Sequence, residues 1–189
     1  MPLEIHPATA ADTPTLATLF FTTFSDAFNT KLFPRTPDLL KVVDTEADAA
    51  KNEPSIVGFA LWSLPAPETT TGAEIEEELE DGLSPPWPES CDGAFCERFF
   101  GRNHERQVEV MGDKRYYYVD VLGTHPAARR RGVATMLINW GLERAKEEGL
   151  EVYLSATQDG RFVYEKLGFE ARSTVEVDGY VQDSMVWVP

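Results

Sequence analysis

The stretch "YYYVDVLGTHPAARRRGVATMLINWGLERAKEEG", residues 116–149, decides the fold of this chain. Its first part is rich in aromatic and β-branched residues, which is typical of a strand. Apolar residues then recur at helical spacing from Val133 onward, and Gly149 is a common type of helix stop. We therefore predict a strand over 115–122, a turn over 123–131 and a helix over 132–148.

The turn of this unit carries three arginines, Arg129, Arg130 and Arg131, directly before Gly132. The first amides of a helix have no intrahelical partner, and the helix dipole adds partial positive charge, so such a turn is an anion site. Gly132 lets the backbone approach a bulky phosphate, and guanidinium groups add charge and forked donors. We expect a pyrophosphate here. The pattern is neither a P-loop nor a dinucleotide fingerprint, since no Gly-Lys-Ser/Thr follows and the three-glycine spacing is missing.

The rest of the chain extends this unit into an α/β fold of the α+β type with a mixed sheet. We predict strands at the start of the chain, around Val42, over 56–64 and over 150–155, then a short helix over 159–167 and two closing strands. A first helix is expected from Asp12, with Leu16, Leu19, Phe20, Phe24 and Phe28 on its core face. Residues 65–113 break the pattern and are interpreted as an insertion in a single domain, partly helical between Asp92 and Val110.

Composition narrows the classes of function. The chain has 189 residues, 42% of them hydrophobic, and a formal net charge of −15. That charge argues against nucleic acid as a partner and favours a cationic or amine substrate. No stretch is apolar enough to predict a membrane span, and the N-terminus lacks a secretory pattern. The only cysteines are Cys91 and Cys96, without a matching His or Cys cluster, so we expect no metal site and a reducing, cytoplasmic location.

Two motifs resemble the GNAT superfamily of acetyl-CoA-dependent N-acetyltransferases. The family signature is Arg or Gln, two residues, Gly, one residue, then Gly or Ala, and it stands here as Arg129 to Ala134. The second motif, "YEKLGFE" at 164–170, follows at the usual distance. The resemblance implies a mostly antiparallel sheet of about six to seven strands, flanked by helices and with a splayed central strand pair. It also implies acetyl-CoA as the acetyl donor.

The resemblance assigns cofactor contacts along the fourth and fifth strands. The pantetheine arm would meet backbone at Val121, Leu122, Gly123 and Thr124. The pyrophosphate would lie on Arg129, Arg130, Arg131, Gly132, Val133, Ala134 and Thr135. Ser155 and Arg161, after the fifth strand, would contact the pantetheine or the adenosine end, with Gln158 as a further candidate.

Tyr164 and Asp120 are the candidate catalytic residues. By resemblance, Tyr164 protonates the departing thiolate; a core tyrosine packing on Leu167 and Phe169 is the other interpretation. Asp120 is a carboxylate inside an apolar strand, which suggests that it faces a cleft. Strand alternation predicts Tyr116, Tyr118, Asp120 and Leu122 on one face and Tyr117, Val119, Val121 and Gly123 on the other. Three roles stay open for Asp120: a base, a relay through water or attraction of an ammonium, and a structural hydrogen-bonding residue.

The first function that these features predict is acetyl transfer to the primary amine of a small molecule. Transfer to a peptide or protein is the alternative within the enzyme class, and a non-catalytic acyl-CoA-binding or sensing domain is the alternative outside it. An exposed sheet edge near residues 175–188 leaves a homodimer open.

Overall fold

The computed structural model describes residues 3–23, 38–47, 55–65 and 92–189. These residues form seven strands and four α-helices. The strands are β1 (Leu3–Pro7), β2 (Asp38–Asp44), β3 (Ile56–Ser63), β4 (Tyr116–Thr124), β5 (Glu151–Thr157), β6 (Glu170–Val177) and β7 (Tyr180–Trp187). The helices are α1 (Thr13–Thr23), α2 (Gly93–Met111), α3 (Val133–Glu148) and α4 (Gln158–Lys166).

All seven strands belong to one sheet in the order β1-β2-β3-β4-β5-β7-β6. Only β4 and β5 are parallel; every other neighbouring pair is antiparallel. This confirms the predicted mixed, mostly antiparallel sheet. The expected edge near 175–188 is wrong for β7, which lies between β5 and β6, and holds only for β6.

The helices cover both faces of the sheet. Phe59 and Leu61 of β3 pack with α1, whereas Ala60 and Trp62 pack with α3, so these two helices lie on opposite faces because adjacent strand residues point in opposite directions. Helix α2 ends on the α1 side, where Met111 packs on Tyr153. Tyr164 and Leu167, at the end of α4, pack against the α3 cluster.

Helix α3 packs very closely on the centre of the sheet. A side chain at Gly141 would collide with the ring of Trp62, which is fully buried. The helix ends at Gly149, whose φ of 67° is the left-handed conformation of a common helix stop. The predicted bounds of α3 are therefore confirmed, with Gly132 as the cap rather than the first helical residue.

The start of the chain differs from the prediction in one detail. Asp12 does not begin α1; it closes a short 3-10 turn, Ala10–Asp12, and accepts a hydrogen bond of 2.8 Å from the backbone N–H of Thr9. Leu16 and Leu19 are buried as expected. The continuation of this helix through Phe24 and Phe28 lies outside the described residues.

One part of the predicted insertion is described. Helix α2 begins at the cap Asp92, whose carboxylate accepts the N–H of Phe95 at 3.0 Å, and it ends at Met111, which confirms the helical prediction. Phe95 and Phe99 pack on the outer hairpin formed by β6 and β7. The acidic run at 73–81 and Cys91 lie outside the described residues, and Cys96 is a buried residue of α2. The single-domain organisation stays a prediction.

Candidate active site

A gap between β4 and β5 is the central feature of the sheet. The two strands pair only over Tyr116–Val119 and Glu151–Leu154. Beyond these residues β4 continues to Thr124 and β5 to Thr157 without pairing to each other. Unpaired strand groups inside a fold need other partners, so the gap is a place for an extended ligand.

The strands part at a β-bulge on β4. Leu61 of β3 pairs with Val121, while the next residue, Trp62, pairs with Val119, so Asp120 is the extra residue. A bulge re-aims side chains, and the predicted alternation therefore fails beyond it. Val121 packs in the α1 cluster, on the opposite face from Val119, and Leu122 packs against the cluster that contains Val119.

Asp120 is half-buried at this bulge. Its Oδ2 accepts a hydrogen bond of 2.6 Å from Ser63 Oγ. Burial raises the pKa of Asp120, while the hydrogen bonds from Ser63 partly oppose that rise. No cationic side chain among the described residues forms an ion pair with this carboxylate. Asp120 therefore has a raised proton affinity and lacks a cationic partner among the described residues.

The junction between β4 and α3 leaves its helical amides open. Gly132, the N-cap of α3, has a φ of 84°, and no side chain of the described residues caps the helix. Arg130 also has a positive φ, 63°, so the chain makes a tight turn just before the helix. The first N–H groups of α3 thus have no intrahelical partner at a positive dipole end.

The three arginines of the turn separate into two groups. Arg129 and Arg130 are exposed. Arg131 instead reaches β2, where its Nη2 lies 2.6 Å from Asp44 Oδ2 and holds the pKa of that carboxyl below its usual range. Arg131 therefore anchors the turn to the sheet, a role that the run of three identical residues did not indicate.

The remaining residues predicted around the turn lie where β4 meets α3. Thr124 Oγ1 is buried and has no hydrogen-bond partner among the described residues. Val133 is buried in the core, whereas Ala134 and Thr135 are half-buried. Gly123 pairs with Phe59 of β3, so its other edge faces the gap.

Tyr164 lies on α4, with its ring 5.9 Å from that of Phe169 in an edge-to-face contact. Burial raises the pKa of its phenol to about 12. Its hydroxyl has no hydrogen-bond partner among the described residues. The side chain is half-buried and packs against the α3 cluster, and its protonated hydroxyl is available to donate.

Ser155 and Arg161 have partners inside the protein. The Ser155 hydroxyl lies 3.3 Å from that of Tyr153. Arg161 forms ion pairs with Glu165 at 2.7 Å and with Asp183 at 2.9 Å. The cofactor contacts predicted for these two residues stay predictions.

Sequence reasoning missed two carboxylates, Asp44 and Asp183. Asp183 stands in "YVQDSMVW", 180–187, an acidic residue inside an apolar strand, and this is the same signal that singled out Asp120. Asp44 ends β2 and gave no such signal. Among the described residues, no three His, Cys, Asp or Glu side chains group as a metal site, and no helix is long and apolar enough to cross a membrane.

Comparison with solved structures shows the same fold. The chain aligns over 100% of its length with a polyamine N-acetyltransferase of Drosophila melanogaster, which is covered over 100%, at a TM-score of 0.65 and 12% identity. A mosquito arylalkylamine N-acetyltransferase like 5b gives 0.64 and 13%, with 100% of both chains covered. A histone acetyltransferase HPA2 and related acetyltransferase from Corynebacterium glutamicum gives 0.63 and 19%, with 100% of this chain and 97% of that one covered.

Sequence comparison supplies the family. A probable acyltransferase SID5 of Ajellomyces capsulatus is 38% identical over 63 residues, which are 33% of this chain and 44% of that protein. The match thus spans less than half of that relative. The model of the acetyltransferase (GNAT) family matches residues 13–169, which include the gap, the open helix α3 and Tyr164. The chain therefore belongs to the acetyltransferase (GNAT) family.

Proposed function

We propose that this protein moves an acetyl group from acetyl-CoA to the primary amine of a small-molecule acceptor. The observation that carries the proposal is the uncapped N-terminus of α3, placed beside the gap between β4 and β5. Family membership supports acyltransferase activity in general, and one structural neighbour, the NatC complex at a TM-score of 0.57, was solved with coenzyme A bound.

The residues around the gap fit coenzyme A. A diphosphate would occupy the amides of Gly132 to Thr135, with the exposed Arg129 and Arg130 beside it. A pantetheine arm carries amide groups, and the free edge of β4 from Val121 to Thr124 offers backbone partners for them. The orphaned hydroxyl Thr124 Oγ1 lies at the end of this path and would gain a partner. Because Arg131 is ion-paired with Asp44, its role would be to hold the turn in shape.

Acetyl-CoA would supply a thioester whose carbonyl carbon accepts an amine nitrogen. Because an ammonium cannot attack, a group on the protein must first take its proton, and Asp120 fits that step directly or through a water, since burial raises its pKa. As the C–N bond forms and the C–S bond breaks, the sulfur needs a proton. The Tyr164 phenol is protonated at neutral pH and fits that step as the hydrogen-bond donor to the departing sulfur, although burial raises its pKa to about 12 and so makes it a weaker acid.

A small cationic acceptor is supported by the charge at the bulge. Asp120 has no cationic partner among the described residues, and an ammonium would compensate it. The net charge of −15 favours the approach of cations over anions. Several fold neighbours are named for small amines: agmatine, polyamines and arylalkylamines.

A peptide or protein acceptor is the second candidate. It is favoured by the NatC complex, solved with a Gag peptide, and by the Corynebacterium glutamicum neighbour described as a histone acetyltransferase. An acyl-CoA sensor without transfer activity is the candidate of another class. The free hydroxyl of Tyr164 supports chemistry over sensing.

Two measurements separate these functions. Calorimetry with coenzyme A tests the cofactor site, and mass spectrometry tests acetyl transfer to agmatine, spermidine, tryptamine and a set of peptides. Modification of the free amines supports the proposal, modification of peptides alone supports the second candidate, and binding without any transfer supports the sensor. Tyr164→Phe is the matched variant, since it removes only one oxygen; we expect turnover to fall about 100-fold with the affinity for coenzyme A unchanged.

The cytoplasmic location and a homodimer through the β6 edge stay part of the proposal. Size-exclusion chromatography with light scattering tests the second.

A further inference from the structure

A buried carboxylate lies on β7, which pairs with β5 on the side away from the gap. Asp183 of β7 is 1% exposed and stands between Ala156 of β5 and Thr174 of β6 in the sheet. The family assignment and the proposed mechanism give this residue no role. A charge buried to this degree is costly unless it is fully hydrogen-bonded, so its partners are informative.

Three donors satisfy the Asp183 carboxylate. Oδ2 accepts hydrogen bonds from Arg161 Nη1 at 2.9 Å and from Gln158 Nε2 at 3.1 Å. Oδ1 accepts one of 2.6 Å from Thr174 Oγ1. Burial by itself raises the pKa of Asp183, but the hydrogen bonds from Thr174, Arg161 and Gln158 outweigh it and lower the pKa. The group is therefore an anion at neutral pH.

The hydrogen bonds around Asp183 lie next to the β5 side of the gap. The last residues of β5, Ser155–Thr157, have lost β4 as a neighbour and pair only with β7, where Ala156 faces Asp183. The β5 side of the gap is thus held from β7 alone. Helix α4 begins at the very next residue, and two of the three donors to Asp183 come from its first four residues.

We infer that Asp183 is a positioning residue for the transfer reaction: through Gln158 and Arg161 it fixes α4, and with it Tyr164, against the β5 side of the gap. Tyr164 follows Arg161 by three residues, less than one turn of the helix. Arg161 then links the helix to Asp183 and is not a cofactor ligand. The catalytic part of this inference rests on the proposed function, while the fixing of α4 does not.

The chain contains a matched control. Thr174 binds the same carboxylate but lies on the edge strand β6 and has no part in α4. Arg161→Met removes one of the two α4 donors, and Asp183→Asn removes the negative charge that both donors bind, so each variant weakens the link to α4. Thr174→Val removes one hydrogen bond and leaves that link in place. All three variants are compared as full-length protein, with circular dichroism and thermal melting as checks of folding.

The inference predicts that kcat falls while the Kd for coenzyme A does not change. Arg161→Met and Asp183→Asn should lower kcat about tenfold, since a small misplacement of a catalytic group is costly, with the Kd for coenzyme A unchanged within about twofold. Thr174→Val should lower the melting temperature and leave kcat unchanged. Because Arg161 acts through Tyr164, Arg161→Met should cause no further loss in the Tyr164→Phe background.

Hydrogen exchange tests α4 without any acceptor. Amides of residues 158–166 should exchange faster in Arg161→Met and Asp183→Asn than in the wild type, and at the wild-type rate in Thr174→Val. If the wild-type protein acetylates neither amines nor peptides, the proposed function fails and takes the catalytic role of Asp183 with it, while exchange still decides whether Asp183 fixes α4.

Three results would overturn the inference. The first is wild-type exchange of α4 in Arg161→Met. The second is a weaker affinity for coenzyme A at unchanged kcat in Arg161→Met, which would make Arg161 a cofactor ligand. The third is a loss in the double variant equal to the product of the two single losses, since independent residues multiply in this way.

Discussion

Two strand-to-helix junctions lie at the same end of the sheet, because β4 and β5 are parallel neighbours. They differ in whether a side chain caps the first helical turn. At the junction of β4 and α3, Gly132 provides no side-chain cap, and within the described part of the chain the amides stay open. At the junction of β5 and α4, Thr157 accepts the N–H of Gly160 at 3.3 Å, and Asp183 binds two side chains of the helix. We call these the open and the closed junction.

The difference between the junctions lies in whether a side chain caps the first helical amides. A carboxylate binds an arginine at both junctions, Asp183 with Arg161 and Asp44 with Arg131. Only the closed junction also has a side-chain cap on its first amides, because no described side chain caps the open one. A related contrast separates two acidic residues of the sheet, Asp120 on β4 and Asp183 on β7. Asp183 has its donors and a lowered pKa, while Asp120 lacks a cation among the described residues and has a raised pKa. A junction or a carboxylate that the fold leaves uncompensated is therefore the place to look for a ligand.

Giving the open junction its own anion should have the largest effect. Gly132→Asp places a carboxylate at the N-terminus of α3, where it repels a phosphate, so we expect the Kd for coenzyme A to rise about 100-fold, or about 2.7 kcal/mol. Calorimetry measures this. Gly132→Asn has the same size and also tolerates positive φ, so it should cost much less. Equal losses in both variants would mean that backbone strain, and not charge, weakens binding.

Neutralising Asp120 should have the next largest effect. Asp120→Asn should lower kcat/KM about tenfold, because it removes the group that accepts the proton. In the wild type, kcat/KM should fall with decreasing pH as Asp120 is protonated, at a midpoint above the ordinary carboxyl value, since burial raises this pKa. Asp120→Asn should lack that acidic limb.

Ser63 offers a control for this assignment. Its hydrogen bond lowers the pKa of Asp120, so Ser63→Ala should move the acidic limb to still higher pH. A limb that stays in place in both variants belongs to another group, and Asp120 would then be structural.

Removing the cap of the closed junction should affect stability and not binding. Thr157→Ala deletes the hydroxyl that accepts the N–H of Gly160, and the loss of such a cap costs about 1 kcal/mol. Chemical denaturation should show this loss, with the affinity for coenzyme A unchanged. Thr157→Ser keeps the hydroxyl and should behave as the wild type; a weaker affinity in Thr157→Ala would show that the two junctions are not independent.

The smallest effect should come from the ion pair that anchors the open junction. Arg131 lowers the pKa of Asp44, so the carboxylate stabilises the fold above its unfolded pKa and loses that contribution as the pH falls through its lowered folded value. The stability difference between wild type and Asp44→Asn should be full near neutral pH and vanish in strong acid, as followed by thermal melting. A difference independent of pH would show that the pair contributes nothing through charge.

Local patterns of the sequence determined most of the fold and predicted where a cofactor site would lie. Gly132 and Gly149 bracket α3 because only a residue without a side chain takes their left-handed backbone at no steric cost. The arginine turn predicted an anion site, which stays a prediction, and the structure places the N-terminus of α3 directly after that turn. These features depend on neighbours within a few residues, which a single sequence displays directly.

Only the tertiary structure decided what the charged residues of the site bind. Arg131 meets Asp44 from 87 positions away, and Arg161 meets Asp183 from 22. The bulge at Asp120 likewise follows from the register against β3, and it moved Val121 to the other face of the sheet. Charge and strand register are satisfied by residues that the chain brings together only when it folds, so no local pattern could assign them.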